Sequence, residues 1–238
     1  MARTFKVLSA LLTYPTAEIQ AAASEMRAAL EAEALLPEKT LRSVERLIGE
    51  LESRDLFDLQ ERYVLLFDRT RSLSLHLFEH VYGESRDRGA AMVDLAQAYE
   101  KHGLMIAAKE LPDFLPLFLE FLSELPPEEA QHWLAQTIHI VAAFRQRLRR
   151  RKSVYAGVFW AIETLANAKP NPEALKALGE QEDDDPNDFA ALDRAWEDEP
   201  VTFGPGDASG DGCSRERLIS QIRAGHRPAP SANDLPQG

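Results

Sequence analysis

The segment from residue 65 to residue 89 carries the side chains that could do chemistry. Within it, His76-Leu77-Phe78-Glu79-His80 matches the H-x-x-E-H pattern of one class of zinc metalloproteases. Histidines four residues apart share a helix face and could both bind zinc, with Glu79 as the general base. A third protein ligand would still be needed, and the sequence offers no convincing one. The pattern therefore leaves two interpretations, a zinc-dependent hydrolase or a helix with two histidines on its polar edge.

A charge cluster follows these histidines and also allows two interpretations. Glu84, Arg86, Asp87 and Arg88 place two acidic and two basic side chains within five residues. They could form an ion-pair network that fixes a loop, or the rim of a site that recognises a peptide. An apolar groove with a charged rim is how a helical protein binds an amphipathic helix. Residue spacing alone does not decide between the two.

A basic run, residues 145–152, lies at the end of a long predicted helix. Its cations are Arg145, Arg147, Arg149, Arg150, Arg151 and Lys152. A helix C-terminus favours cations, so a solvated helix end is the preferred interpretation. Attraction of an acidic segment is a second possibility. Nucleic-acid binding is a third, but no aromatic side chains interleave with the cations for stacking.

Composition limits the function further. The chain has 238 residues, 45% of them hydrophobic, and a net charge of −12, which disfavours nucleic acid as a partner. Residues 171–238 hold 15 acidic and 6 basic side chains, so most of the negative charge belongs to them. The only cysteine, Cys213, lies there among acidic neighbours and cannot form an internal disulfide. With no secretory signal and no apolar run of about 18 residues, we expect a cytoplasmic protein without membrane insertion.

Apolar side chains at helical spacing predict an all-α fold and no sheet. We expect a single-domain bundle of about eight helices over residues 1–170. Thr16 and Asp55 are predicted N-caps, and Gly103 and Pro170 are predicted helix ends.

Residues 171–238 are rich in Pro, Gly, Asp and Glu, which predicts an acidic and mostly disordered tail. Within this tail, Phe189, Leu192 and Trp196 would share one helix face. A short helix near 188–197 is therefore expected to dock on this chain or on a partner.

Several motifs resemble one known family, the NarJ-type assembly chaperones of respiratory nitrate reductase. The central motif runs from Leu66-Phe67-Asp68-Arg69 through Ser74-Leu75-His76-Leu77-Phe78-Glu79-His80-Val81 to Gly83-Glu84-Ser85-Arg86-Asp87-Arg88-Gly89. Similar motifs are Leu11-Leu12-Thr13-Tyr14-Pro15, Ala91-Met92-Val93-Asp94-Leu95, Glu110-Leu111-Pro112-Asp113-Phe114-Leu115-Pro116-Leu117, Leu192-Asp193-Arg194-Ala195-Trp196-Glu197 and Val201-Thr202-Phe203. The resemblance spans about residues 5–203. One departure is Tyr82, where the family commonly has histidine.

The resemblance implies an all-helical cytoplasmic chaperone with no catalysis and no cofactor of its own. It implies binding to the apo catalytic (alpha) subunit of nitrate reductase, chiefly to its N-terminal peptide. The subunit would thereby stay competent for molybdenum cofactor insertion and iron–sulfur loading before membrane attachment. The molybdenum cofactor insertion machinery is a further possible partner.

A client-binding groove in the central segment then has predicted walls and a predicted rim. The apolar wall would consist of Tyr63, Leu66, Phe67, Leu75, Phe78 and Val81. The polar rim, or the network that shapes it, would consist of Asp68, Arg69, Arg71, His76, Glu79, His80, Glu84, Arg86, Asp87 and Arg88. For each apolar residue, packing in the core is an equally good explanation.

Overall fold

The computed structural model describes residues 2–82, 87–106 and 110–180, which form helices, turns and one isolated bridge, without strands. They all belong to the first of two units into which the chain divides, Met1–Asp188. The second unit, Phe189–Gly238, lies outside the described residues. So do Glu84, Arg86, Cys213 and the docking helix expected near 188–197.

The all-α prediction is confirmed, with more helices than expected. The described ranges contain α1 Arg3–Leu11, α2 Ala17–Ala21, α3 Ala23–Glu33, α4 Glu38–Ser53, α5 Leu56–Tyr63, α6 Glu79–Tyr82, α7 Asp87–Lys101, α8 Leu115–Glu124, α9 Pro127–Arg150, α10 Ala156–Ala166 and α11 Pro172–Glu180. A π-helical turn, Val64–Asp68, continues α5, and a 3-10 turn follows at Arg71–Leu73. None of the helices in these ranges has the length and apolar character needed to cross a membrane.

Local signals in the sequence set several helix boundaries as predicted. The Thr16 hydroxyl accepts a hydrogen bond from the Ile19 amide at 3.3 Å and caps α2. The Asp55 carboxylate accepts one from the Phe57 amide at 2.8 Å and caps α5. Gly103 follows α7 with a φ of +78°, a conformation that glycine adopts without a steric penalty.

The long helix α9 is the centre of the bundle. It packs against α8, α10 and α11, while α10 also packs on α4 and α1 packs on α8. The α4–α10 contact is close, because a Cβ atom on Gly157 would lie 2.7 Å from the carbonyl carbon of Ser43. Only glycine fits there without moving a helix.

Helix α11 lies beyond residue 170, where composition predicted that the acidic tail begins. Its Leu178 is buried against the core, and the Arg147 side chain donates a hydrogen bond to the Leu178 carbonyl. The Arg147 side chain also donates to the Ser72 carbonyl at 2.6 Å.

The expectation of a solvated basic helix end is wrong for two arginines of the run. Arg147 is buried, and Arg145 pairs with Glu163 and lies over the Trp160 ring. These two cations therefore hold α9 to its neighbours.

Candidate functional site

An apolar trough of about 360 Å³ opens between α6, α7 and α9. It is lined by Leu77, Phe78, Val81, Tyr82, Ala91, Asp94, Leu95, Phe118, Trp133, Gln136, Thr137, His139 and Ile140. A larger depression, over α4, is lined mainly by charged side chains of that helix. The trough is the better candidate for a binding site because apolar linings with a few polar groups are typical of such sites.

The segment before α6 pairs with a distant part of the backbone, and this pairing places the trough residues. The Leu77 amide donates to the Asp113 carbonyl at 3.0 Å, and the Leu115 amide donates to the Leu75 carbonyl at 2.8 Å. His76 and Phe114 form the isolated antiparallel bridge between the two segments. Residues 75–77 are thus fixed to residues 113–115, and Phe78 follows directly at the trough.

A buried carboxylate, Asp113, organises this junction. Its side chain is fully buried and accepts hydrogen bonds from the Phe78 amide at 3.0 Å and from His76 Nδ1 at 3.3 Å. The Arg88 guanidinium lies 3.8 Å from Asp113 and 3.2 Å from Glu79. The hydrogen bond to Asp113 is the main reason why the pKa of His76 is raised above its ordinary value. These four side chains form an ion-pair network beside the trough. Arg88 is the member of the charge cluster that takes part in it, whereas Glu84 and Arg86 lie outside the described residues.

The H-x-x-E-H pattern does not form the helical arrangement that a zinc hydrolase requires. Helix α6 begins at Glu79, so His76 precedes it, and the prediction that the two histidines share a helix face is wrong. His80 Nε2 donates to the Ser74 carbonyl at 2.8 Å, and the His80 ring packs edge-on against Phe144. Burial lowers the pKa of His80. Among the residues with described positions, no three His, Cys, Asp or Glu side chains converge as a metal site would require.

Two of the six predicted wall residues, Phe78 and Val81, line the trough. The structure places the other four, Tyr63, Leu66, Phe67 and Leu75, in the core, so they are not on its wall. The Tyr63 hydroxyl donates to the Leu12 carbonyl at 2.9 Å, and the rings of Tyr63, Phe67 and Tyr155 pack in series. Their helical spacing marked a buried face and did not distinguish a core from a groove.

The predicted rim is also divided. Glu79, Arg88 and His76 lie in the network beside the trough, and Asp87 begins α7, while His80 of α6 packs against Phe144. Asp68, Arg69 and Arg71 are exposed in the turns after α5 and are not among the residues that line the trough.

Two walls of the trough, on α7 and α9, were not predicted from the sequence. Ala91, Asp94 and Leu95 share one face of α7, and Trp133, His139 and Ile140 come from the middle of α9. Burial lowers the pKa of His139, which favours its neutral form. Helical periodicity could have assigned the α7 residues to one helix face and the α9 residues to another. It could not have predicted that these two faces lie opposite each other.

These features define a class, namely helical proteins with an apolar trough between their helices. The family model of the nitrate reductase delta subunit matches residues 15–161, a range that contains the whole trough. The chain therefore belongs to the nitrate reductase delta subunit family, as the resemblance of its motifs indicated.

Three relatives carry names that state a role. The nitrate reductase molybdenum cofactor assembly chaperone NarJ of Escherichia coli strain K12 is 43% identical over 207 residues, which cover 86% of each chain. The probable chaperone NarW of the same strain is 40% identical over 185 residues, covering 77% of this chain and 78% of NarW. The probable chaperone NarJ of Bacillus subtilis strain 168 is 31% identical over 156 residues, covering 64% of this chain and 82% of that protein.

Proposed function

We propose that this protein is a system-specific chaperone for the assembly of respiratory nitrate reductase. Its client is the apo catalytic subunit, bound chiefly through the N-terminal peptide, and the trough is the binding site. Family membership and the names of the relatives support the chaperone role. The single observation that carries the choice of site is the apolar trough between α6, α7 and α9.

The chemistry of the trough supports a peptide as the ligand. Val81 is 53% exposed and Tyr82 is 36% exposed, so apolar surface faces solvent in the free protein. Covering such surface contributes about 25 cal/mol per Å² to the free energy of binding. The apolar face of an amphipathic helix, with side chains at positions i, i+3 or i+4 and i+7, is complementary to an apolar trough between helices.

The proposed role consists of holding the client and involves no catalysis. A bound N-terminal peptide keeps the apo subunit from premature membrane attachment, so the subunit stays open to molybdenum cofactor insertion and iron–sulfur loading. The insertion machinery is a second proposed partner, and the cytoplasm is the proposed location. Nucleic acid is not part of the proposal, because Arg145 and Arg147 of the basic run make internal contacts.

Calorimetry with a synthetic peptide of about 20 residues, taken from the N-terminus of the nitrate reductase catalytic subunit of the same organism, tests this proposal. We expect saturable binding to the full-length protein with a negative heat-capacity change. Trp133 lines the trough, so its fluorescence should shift to shorter wavelength when the peptide covers it. A Trp133→Phe variant should lose that shift.

Two valines provide a matched pair of variants. Val81 lines the trough and is 53% exposed, whereas Val93 is 55% exposed on α7 and is not among the lining residues. We expect Val81→Gln to weaken peptide binding about five- to tenfold, because one apolar contact of roughly 1 kcal/mol is lost. Val93→Gln should bind as the wild type does. Absence of peptide binding, or equal effects of the two substitutions, would contradict the trough as the client site.

A further inference from the structure

The trough has one charged lining residue, and this residue has no partner in the described ranges. Ala91, Asp94 and Leu95 line the α7 wall together, and Asp94 is exposed without an ion pair or a hydrogen bond to its side chain there. All the other lining residues are apolar, aromatic or neutral polar, including His139, whose pKa burial lowers. As far as the described residues show, the trough thus presents one negative charge without a partner within an apolar surface.

The other charges at the junction already have partners. Arg88 pairs with Glu79 at 3.2 Å, and Asp113 accepts from His76 and lies 3.8 Å from Arg88. Asp87, at the start of α7, also has an interaction partner. Arg88, Glu79, Asp113 and His76 thus interact with one another, and within the described ranges Asp94 is the charged side chain that an occupant of the trough meets without a partner.

We propose that Asp94 selects the occupant of the trough, which is an amphipathic helix with a lysine or arginine beside its apolar face. This inference rests on the proposed function and specifies the chemistry of the client at the same site. An occupant that covers Asp94 removes water from its carboxylate, which is unfavourable unless a cation takes the place of that water. A helix with an acidic or purely apolar residue at this position is therefore rejected, and a basic one is accepted.

The geometry also restricts where the basic residue lies on the partner helix. Asp94 is on the same wall as Ala91 and Leu95, so the cation must flank the apolar stripe one helical turn from an apolar anchor. Arginine suits this position best, because its planar guanidinium can donate two hydrogen bonds to one carboxylate.

A charge-exchange experiment with the same synthetic N-terminal peptide tests the inference. Asp94→Asn should weaken peptide binding about three- to tenfold and should reduce the salt dependence of the association rate. The control is Glu100→Gln, an equal loss of charge at an exposed residue of α7 that is outside the trough lining. This control should bind as the wild type does. Thermal unfolding of both variants should match the wild type, since neither side chain has a partner among the described residues.

The second arm exchanges the charges. Peptides in which each basic residue is replaced in turn by glutamate are titrated against the wild type and against Asp94→Lys. One such peptide should bind the wild type poorly and recover at least part of its affinity with Asp94→Lys. Two results would overturn the role of Asp94 but leave the proposed client site standing. One is unchanged affinity of Asp94→Asn for the original peptide, and the other is that no exchanged peptide regains affinity with Asp94→Lys. Failure of the original peptide to bind the wild type overturns the proposed client site as well.

Discussion

Asp113 is a buried carboxylate whose oxygens serve different partners. One oxygen accepts from His76 Nδ1 at 3.3 Å, and the other accepts from the Phe78 amide at 3.0 Å and faces Arg88 at 3.8 Å. Hydrogen bonds to a charged acceptor contribute more than neutral ones, and an unpaired buried charge is strongly destabilising. Asp113 therefore holds the backbone at Phe78 in place and raises the pKa of His76.

At the same scale, the pH dependence of stability is predicted to report this hydrogen bond. The pKa of His76 is raised chiefly by Asp113, with Glu79 adding to the effect, while burial and Arg88 oppose it. Stabilisation by protonated His76 is therefore complete below its unfolded pKa of about 6.5 and is lost as pH rises through the higher folded pKa. We expect His76→Gln to lower the free energy of unfolding more at about pH 5.5 than at about pH 8. Urea unfolding at the two pH values measures the difference.

His80 provides a control of opposite sign. Burial lowers its pKa, so its contribution is present above about pH 6.5 and is lost as pH falls through the folded pKa. His80→Gln should therefore be more destabilising at high pH than at low pH. A destabilisation by His76→Gln that does not change with pH would contradict the role assigned to Asp113.

At the scale of elements, the crossing of α4 and α10 depends on a missing side chain. A Cβ atom at Gly157 would overlap the carbonyl group and the hydroxyl of Ser43. The overlapping carbonyl group is part of the α4 backbone and cannot rotate away from the new Cβ atom as a flexible side chain would. Gly157→Ala must therefore separate the two helices. We expect a loss of about 1–3 kcal/mol in the free energy of unfolding, from overpacking. Chemical denaturation followed by circular dichroism measures it.

Gly49, in the middle of α4, is the matched control for this substitution. A Cβ atom there would meet its nearest heavy atom at 3.9 Å, which is ordinary contact. Gly49→Ala should stabilise the protein by roughly 0.5–1 kcal/mol, because alanine favours the helix. Equal effects of the two substitutions would show that helix propensity, and not the close crossing, decides the outcome at Gly157.

The elements also show what the sequence could predict. Caps such as Thr16 and Asp55 act within three residues, so local patterns identified their helices correctly. The path of residues 75–77 depends on pairing with residues 113–115, far along the chain, which no local pattern reveals. For that reason the segment was expected to be helical, and the two histidines were wrongly placed on one face. The trough could not be predicted for the same reason, because its walls on α7 and α9 come together only when these helices pack.

At the scale of the whole molecule, Arg147 connects three parts of the bundle. From α9 it donates to the Ser72 carbonyl in the 3-10 turn and to the Leu178 carbonyl in α11. The turn leads directly into the segment that pairs with residues 113–115 and ends at Phe78, on the trough. A single buried cation thus links the last described helix to the segment that carries one wall of the site.

Replacing Arg147 with methionine should loosen both ends of this connection. The substitution leaves two carbonyl groups without their charged donor, and it should reduce the free energy of unfolding by about 2–4 kcal/mol. We expect faster amide hydrogen exchange in α11 and in the turn at Arg71–Leu73, with α1 and α8 unchanged. Arg149→Met, an equal change at an exposed position of the same helix, is the control and should leave exchange as in the wild type. Unchanged protection of α11 in Arg147→Met would mean that the burial of Leu178, and not the arginine, holds this helix in place.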